Sequence, residues 1–156
     1  MIYLIYLILV LLLFMLDYLS KQYIMNHFTL NQSFEIIKGF FNIRYVRNTG
    51  AGFSIFQDQR IFLTTVSLLA VILLSYMLYK ENKKNALSIF AYLLLIAGAL
   101  GNLYERALYG SVTDFLDFII FGWDYPVFNV ADIFVCIGAV ILIFVSLKKE
   151  DYNAKS

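Results

Sequence analysis

The sequence predicts a mainly α-helical membrane protein, in which a bundle of four transmembrane helices carries a small extracytoplasmic β-sheet. Of its 156 residues, 62% are hydrophobic and 15% are charged, whereas soluble domains are about half apolar. Four apolar windows each approach the roughly 20 residues that cross a bilayer. Only the segment at about 33–58 alternates apolar and polar side chains. We therefore expect a single integral membrane domain over residues 1–156.

The four helices are expected at about 3–26, 60–80, 85–105 and 128–148. Charged side chains separate these spans, and Asp132 is the only charge within the last apolar run. A cleaved secretory signal has a positively charged start, but Met1-Ile2-Tyr3 carries no charged side chain. We expect the first segment to remain in the protein as helix 1.

Basic residues predict the orientation of the bundle. Lysines gather in the connection between helices 2 and 3 and after helix 4: Lys80, Lys83, Lys84, Lys148, Lys149 and Lys155. The connection between helices 3 and 4 carries only Arg106. Because cytoplasmic loops are enriched in Lys and Arg, both termini are expected in the cytoplasm. The long connection after helix 1 carries basic residues of its own, which weakens this bias.

That long connection contains the pattern of a β-hairpin. Phe41, Ile43 and Tyr45 alternate with polar side chains, Asn48-Thr49-Gly50 has the composition of a turn, and an apolar run resumes over Phe53–Phe56. We expect two strands joined at that turn, forming a small sheet on the extracytoplasmic surface.

Charge and composition exclude several function classes. A net charge of +1 offers no basic face for nucleic acid, which we do not expect as a partner. Cys136 is the only cysteine and His27 the only histidine, so we expect no metal site and no cofactor. Cys136 lies in an apolar stretch, where a buried small hydrophobe is the ordinary role. A Ser or Cys nucleophile beside a base is also not evident.

Polar side chains gather at one predicted depth, near the outer ends of helices 1 and 3, at the start of helix 4 and in the connection between helices 3 and 4. They are Asp17, Lys21, Asn102, Glu105, Arg106, Asp114, Asp117, Asn129 and Asp132. Ionisable groups within a membrane cost about 2.5 to 3.5 kcal/mol each on insertion scales and tend to mark functional sites. This convergence predicts a site near the extracytoplasmic face.

Five of these side chains also have an ordinary structural interpretation. Asp17 and Lys21 are four residues apart on a helix and could neutralise each other. Asp132 could stabilise the start of helix 4 through the helix dipole, and Asp114 and Asp117 could be solvated loop carboxylates. Their joint occurrence favours a site. Two carboxylates that share a proton supply a base for water and an acid for the leaving group, as in aspartic proteases.

Five short motifs occur in order between residues 17 and 132: Asp17-Tyr18-Leu19-Ser20-Lys21, Arg47-Asn48-Thr49-Gly50-Ala51-Gly52-Phe53-Ser54, Gly98-Ala99-Leu100-Gly101-Asn102-Leu103-Tyr104-Glu105-Arg106, Val112-Thr113-Asp114-Phe115 and Phe128-Asn129-Val130-Ala131-Asp132. Together they resemble the motifs of the lipoprotein signal peptidase (signal peptidase II) family, the membrane aspartyl proteases of bacteria. The chain departs from the family pattern at Glu105, where Asp is usual, and at Gly52, where Ala is common.

The resemblance implies that Asp114 and Asp132 are the catalytic dyad. It also implies that further side chains and one glycine shape the site or hold substrate, namely Asp17, Lys21, Asn48, Gly50, Asn102, Arg106 and Asn129. The implied substrate is a prolipoprotein whose cysteine already carries diacylglycerol, cleaved immediately before that cysteine. The implied location is the bacterial cell membrane, where we expect a monomer surrounded by lipid.

Two other functions compete with this interpretation. A proton-coupled transporter would also place ionisable groups in the membrane, but it predicts polar groups through the full depth, and helices 2 and 3 have almost none in their inner halves. A non-catalytic scaffold would use the outer sheet for docking. The five ordered motifs argue against the scaffold.

Overall fold

The computed structural model describes residues 1–50, 55–81 and 85–154, and this part of the chain forms four long helices and four strands. The helices are α1 (Ile2–His27), α2 (Arg60–Lys80), α3 (Ala86–Tyr109) and α4 (Val130–Ala154). The strands are β1 (Ser33–Ile37), β2 (Phe41–Asn48), β3 (Val112–Ile120) and β4 (Trp123–Asp124). Each helix is long and apolar enough to cross a membrane. The predicted mainly α fold class with a small sheet is therefore confirmed.

Helix α3 forms the centre of the bundle. Its apolar window is 56% buried inside the protein, whereas those of the other three helices are buried by at most 17%. Glycines allow close approach of α4, because a Cβ at Gly138 would lie 2.8 Å from the carbonyl oxygen of Ala91. Small residues at such contacts are typical of helices packed within a membrane. The remaining faces of α1, α2 and α4 present large apolar side chains outward.

Both ends of α3 are set by local signals. The Asn85 side chain accepts hydrogen bonds from the backbone N–H groups of Leu87 (2.9 Å) and Ser88 (3.2 Å), as an N-cap residue does. Gly110 ends the helix in the left-handed conformation, with φ of 76°, where glycine is favoured. The helix thus continues through Glu105 and Arg106, and Gly110 directs the chain into β3.

The four strands form one antiparallel sheet in the order β1-β2-β3-β4. Phe41 lies opposite Phe118, Arg47 opposite Thr113 and Asn48 opposite Val112. The two carboxylates expected in a loop, Asp114 and Asp117, therefore lie in a strand and are both buried. Pairing with β2 supplies the backbone hydrogen bonds that a solvated loop would take from water.

The predicted hairpin is wrong about the partner of β2. In the observed hairpin, the turn lies at residues 38–40, before β2, and the other strand is β1. The expected second strand began at Phe53, which lies outside the described residues, while Ile55 and Phe56 lie in a turn. Phe56 has φ of 59°, a value outside the extended region that strands require.

A backbone bridge connects the sheet to the start of α4. The Phe128 carbonyl accepts from the Leu116 N–H at 2.8 Å, and the Phe128 N–H donates to the Leu116 carbonyl at 3.1 Å. The rings of Phe118 and Phe128 stack with centroids 5.7 Å apart. This bridge holds the residue after Phe128, Asn129, beside β3.

Two further expectations concern single positions. Cys136 is exposed on the outer surface of α4, so the prediction of a buried cysteine is wrong; the neighbouring Gly138, not Cys136, faces α3. Lys83, Lys84 and Lys155 lie outside the described residues, as does the side chain of Lys149. The orientation of the bundle stays a prediction.

Candidate active site

Asp114 lies near the start of β3 and is almost completely buried. Its Oδ1 accepts a hydrogen bond from Asn129 Nδ2 at 2.6 Å, and its Oδ2 accepts one from Asn48 Nδ2 at 2.9 Å. Burial, followed by the negative charge of Asp132, raises the pKa of the Asp114 carboxyl to about 7, although both hydrogen bonds act in the opposite direction. A carboxyl with a pKa in this range can hold or release a proton near neutral pH.

Asp132 lies in the first turn of α4. Its Oδ1 accepts from Asn102 Nδ2 at 2.8 Å, and its Oδ2 accepts from the backbone N–H of Asn129 at 3.1 Å. In return, Asn129 Oδ1 accepts from the backbone N–H of Asp132 at 3.1 Å, so the two residues cap the helix reciprocally. Asp132 thus has the helix-start role anticipated from its position and also faces the polar cluster.

Asn129 connects the two carboxylates. Its side chain is wholly buried, and its Nδ2 donates to Asp114 Oδ1 (2.6 Å) and to Asn102 Oδ1 (3.2 Å). Its backbone N–H donates to Asp132. All four carboxylate oxygens of Asp114 and Asp132 therefore accept a hydrogen bond from an amide. Each oxygen keeps a second lone pair for a proton or a water molecule.

Lys21 and Asp17 brace the cluster from α1. The Lys21 ammonium lies 2.7 Å from Asp17 Oδ2 and donates to Asn102 Oδ1 at 2.9 Å. The second oxygen of Asp17 accepts from the backbone N–H of Ala131 at 2.9 Å. The charges of Lys21 and Asp17 therefore neutralise each other, as their spacing suggested. The pair also joins α1 to α3 and α4. Lys21 orients Asn102, because its ammonium requires the amide oxygen and leaves the NH₂ group for Asp132.

Asn48, Gly50 and Arg106 form another side of the site. Asn48 Oδ1 accepts from the Gly50 N–H at 2.9 Å, while Arg106 Nη2 donates to the Gly50 carbonyl at 2.9 Å. Arg106 is buried, and its Nε has no hydrogen-bond partner among the described residues. Ala51 to Ser54, the rest of this motif, lie outside the described residues.

The family resemblance implied nine site residues, and hydrogen bonds join all nine into one cluster where β3 meets the ends of α1, α3 and α4. They are Asp17, Lys21, Asn48, Gly50, Asn102, Arg106, Asp114, Asn129 and Asp132. Asp117 lies elsewhere in the sheet, where it accepts from Asn42 Nδ2 at 3.3 Å across β2 and β3. This cross-strand pairing is a structural role, since residues three apart in a strand point to opposite faces.

Three residues beside the cluster, Arg47, Ser111 and Thr113, were not predicted from the sequence to take part in the site. Arg47 donates from Nη1 to Thr113 Oγ1 at 2.8 Å and from Nε to Ser111 Oγ at 3.0 Å. Both Arg47 and Thr113 occur inside motifs, next to Asn48 and Asp114 respectively, and that adjacency was the available signal. Their contact could not be inferred, because it depends on the register of β2 against β3.

The cluster is suited to acid and base chemistry. It holds the buried carboxylate of Asp114, which has a pKa near neutrality, and the half-buried carboxylate of Asp132. Two N–H groups of Asn129, one from its side chain and one from its backbone, join them. The described part of the chain contains no group of three His, Cys, Asp or Glu residues arranged to hold a metal ion. The donors around the carboxylates are amides and one guanidinium, which can hydrogen-bond peptide carbonyl groups.

Comparisons with known proteins agree on one family. The family model described as signal peptidase (SPase) II matches residues 9–148. The chain is 46% identical over 133 residues to a lipoprotein signal peptidase of Yersinia pestis (strain Pestoides F), covering 83% of this chain and 78% of the relative. A lipoprotein signal peptidase of Yersinia pseudotuberculosis serotype I (strain IP32953) matches with the same identity and coverage.

Two solved structures share this fold. A bacterial membrane enzyme solved by the in meso method at 2.3 Å resolution superposes with a TM-score of 0.87 and 35% identity, covering 93% of this chain and 88% of that one. A second, solved by the same method at 1.9 Å, gives a TM-score of 0.83 and 36% identity, with 92% of each chain covered. The chain belongs to the signal peptidase II family.

Proposed function

We propose that this chain is an intramembrane aspartic endopeptidase that removes the signal peptide from diacylglyceryl-modified prolipoproteins and cleaves immediately before the lipidated cysteine. Its membership of the signal peptidase II family supports a membrane protease that processes lipoprotein precursors. The aspartic mechanism is supported chiefly by one observation: Asn129 donates hydrogen bonds to both Asp114 and Asp132.

The proposed reaction uses the two carboxylates as a pair. The ionised carboxylate takes a proton from a water molecule, whose oxygen attacks the carbonyl carbon of the scissile peptide bond. The protonated carboxyl then donates its proton to the leaving nitrogen as the carbon–nitrogen bond breaks. The products are the carboxylic acid of the signal peptide and the free amine of the lipidated cysteine. Because coupled carboxyls titrate jointly, the shared proton is assigned to the pair.

Amide and guanidinium donors supply the proposed substrate contacts. Asn48, Asn102 and Asn129 already orient the carboxylates, and Arg106 has a buried Nε without a partner among the described residues. A carbonyl oxygen of the substrate backbone would satisfy that N–H, since an unpaired buried donor costs about 1 to 3 kcal/mol. Gly50, held by Asn48 and Arg106, would border the substrate on one side.

In this proposal, the membrane holds the scissile bond at the depth of the two carboxylates. The cluster lies where α1, α3 and α4 meet the sheet, near one end of the apolar spans. A diacylglyceryl group embedded in one leaflet would hold the cysteine at that depth. We propose a monomer in the bacterial cell membrane, with both termini cytoplasmic and the site near the extracytoplasmic face. Its partners are the lipidated precursor and surrounding lipid, and no nucleic acid.

The test uses purified protein in detergent with a lipidated precursor peptide, and it follows release of the signal segment. Asp114→Asn and Asp132→Asn should each abolish release while circular dichroism still reports a folded helical protein. The same peptide without its diacylglyceryl group should be cleaved poorly. Asp117→Asn is the matched control, because Asp117 is buried in the same strand but pairs with Asn42, and it should retain most activity. Full activity in either dyad variant would exclude the mechanism.

A further inference from the structure

Another buried carboxylate, that of Glu105, connects the last turns of α3 to the start of β3. Its Oε2 accepts from the backbone N–H of Thr113 at 2.6 Å, and its Oε1 accepts from Thr113 Oγ1 at 2.8 Å. Glu105 is 2% exposed and Thr113 is wholly buried. Thr113 directly precedes Asp114 in β3. Glu105 therefore holds both the backbone and the side chain of the residue before a proposed catalytic carboxylate.

Arg47 completes this unit from the neighbouring strand. It lies opposite Thr113 in the sheet register, and its Nη1 donates to Thr113 Oγ1 at 2.8 Å and to Glu105 Oε1 at 3.4 Å. Lys21 Nζ lies 3.8 Å from Glu105 Oε2. Two cations, Lys21 and Arg47, thus face two buried carboxylates, Asp17 and Glu105, which would be costly in a dry environment without them. The Thr113 hydroxyl accepts from Arg47 and donates to Glu105, so its single proton is fully used.

The arrangement requires two acceptor oxygens at position 105. Thr113 presents two donors to the carboxylate, its N–H and its hydroxyl, and each oxygen accepts one of them. Glutamine has one acceptor oxygen, and its NH₂ group would face a donor. Aspartate has two acceptors but is one methylene shorter. The glutamate at which this chain departs from the usual family pattern therefore has a defined partner in Thr113.

We propose that Glu105 is a positioning residue, which fixes Thr113 so that Asp114 meets Asn48 and Asn129. This inference rests on the proposed function, because it assigns Glu105 a role through Asp114. Misplacing a reacting group by about 1 Å can reduce turnover by about 100-fold. A loosened Thr113 should accordingly reduce kcat, whereas substrate affinity should change little because Glu105 makes no proposed contact with substrate.

The experiment measures kcat, KM and the apparent Tm of Glu105→Gln, Glu105→Asp and Thr113→Val with the lipidated peptide. Glu105→Gln should lower kcat by roughly 30- to 100-fold with KM changed by less than about threefold. Glu105→Asp keeps both acceptors and should restore kcat to within about 10-fold of the original protein. Thr113→Val keeps the backbone bond and should cost less than Glu105→Gln. Glu35→Gln, at an exposed site in β1, is the control without effect.

The outcomes separate this inference from the proposed function. An unchanged kcat in Glu105→Gln, or a loss confined to Tm or KM, would overturn the positioning role. If Glu105→Gln does not fold, Thr113→Val carries the test, and a normal kcat in that variant would overturn the positioning role. Asp114→Asn is measured alongside: if it is inactive while the Glu105 variants are normal, only the positioning role fails. Activity in Asp114→Asn would instead contradict the proposed function.

Discussion

Asn129 donates its side-chain amide to Asp114 at 2.6 Å. The same residue caps α4 and donates its backbone N–H to Asp132. A residue at a helix start therefore sets the position of a carboxylate in a strand. This coupling depends on the bridge between Phe128 and Leu116, which holds the beginning of α4 against β3.

Replacement of Asn129 should impair catalysis more than folding. Asn129→Ala removes the donor to Asp114, and we expect kcat to fall by roughly 100-fold, since amide donors at active sites are worth about that factor. Asn129→Asp keeps the helix cap but brings a third carboxylate to the pair, and it should be at least as inactive. The measurement is release of the signal segment, with Asn42→Ala in the sheet as the control. Near-normal rates in Asn129→Ala would show that the hydrogen bond from the Asn129 side chain to Asp114 is dispensable.

Removal of Lys21 should destabilise the protein strongly. Lys21→Met leaves the Asp17 carboxylate buried without its cation and frees Asn102 from its orienting donor. Breaking a buried ion pair by removing one partner costs about 3 to 5 kcal/mol. We expect a lower apparent Tm and loss of activity. The double variant Asp17→Leu/Lys21→Met should recover part of the Tm but not the activity; recovery of both would assign the pair to stability alone.

Stability should depend on pH through Asp114. The folded-state pKa of about 7 lies above the ordinary value of 3.8, so the folded protein binds more protons than the unfolded chain between these values. The stabilising contribution of this group is complete below pH 3.8 and is lost as pH rises through about 7. Asp114→Asn removes this titration. The Tm of the variant minus the Tm of the original protein should therefore increase from pH 5 to pH 8. Thermal melts of both proteins over that range provide the check, and a difference that is constant or of opposite sign would contradict it.

Close approach at Gly101 should be essential to the site. A Cβ at this position would overlap the Asp17 carboxylate, so Gly101→Ala must displace the ion pair that braces Asn102. We expect loss of activity. Gly138→Ala also introduces a crowded Cβ, but against Ala91 and Leu95 in the apolar part of the bundle. It should lower Tm while the folded fraction remains active, and equal catalytic losses in both variants would argue against a specific role for Gly101.

The departure at Glu105 illustrates what motifs can and cannot establish. The sequence identifies the substitution within an otherwise matching motif, but the role of the longer side chain cannot be inferred until its hydrogen-bond partners are known. Its partners are the two donors of Thr113, eight residues later in the chain. Thr113 follows Gly110, which ends α3 in the left-handed conformation.

The sequence by itself determined the four apolar spans, the depth at which polar side chains gather and the family motifs, because each depends on composition or on spacing over a few residues. Tertiary structure alone decided that β2 pairs with β1 and β3, that Asp117 pairs with Asn42 outside the cluster, and that Cys136 lies on an outer surface. These outcomes depend on strand register and helix packing between segments far apart in the chain, where the identity of a residue does not specify its neighbour.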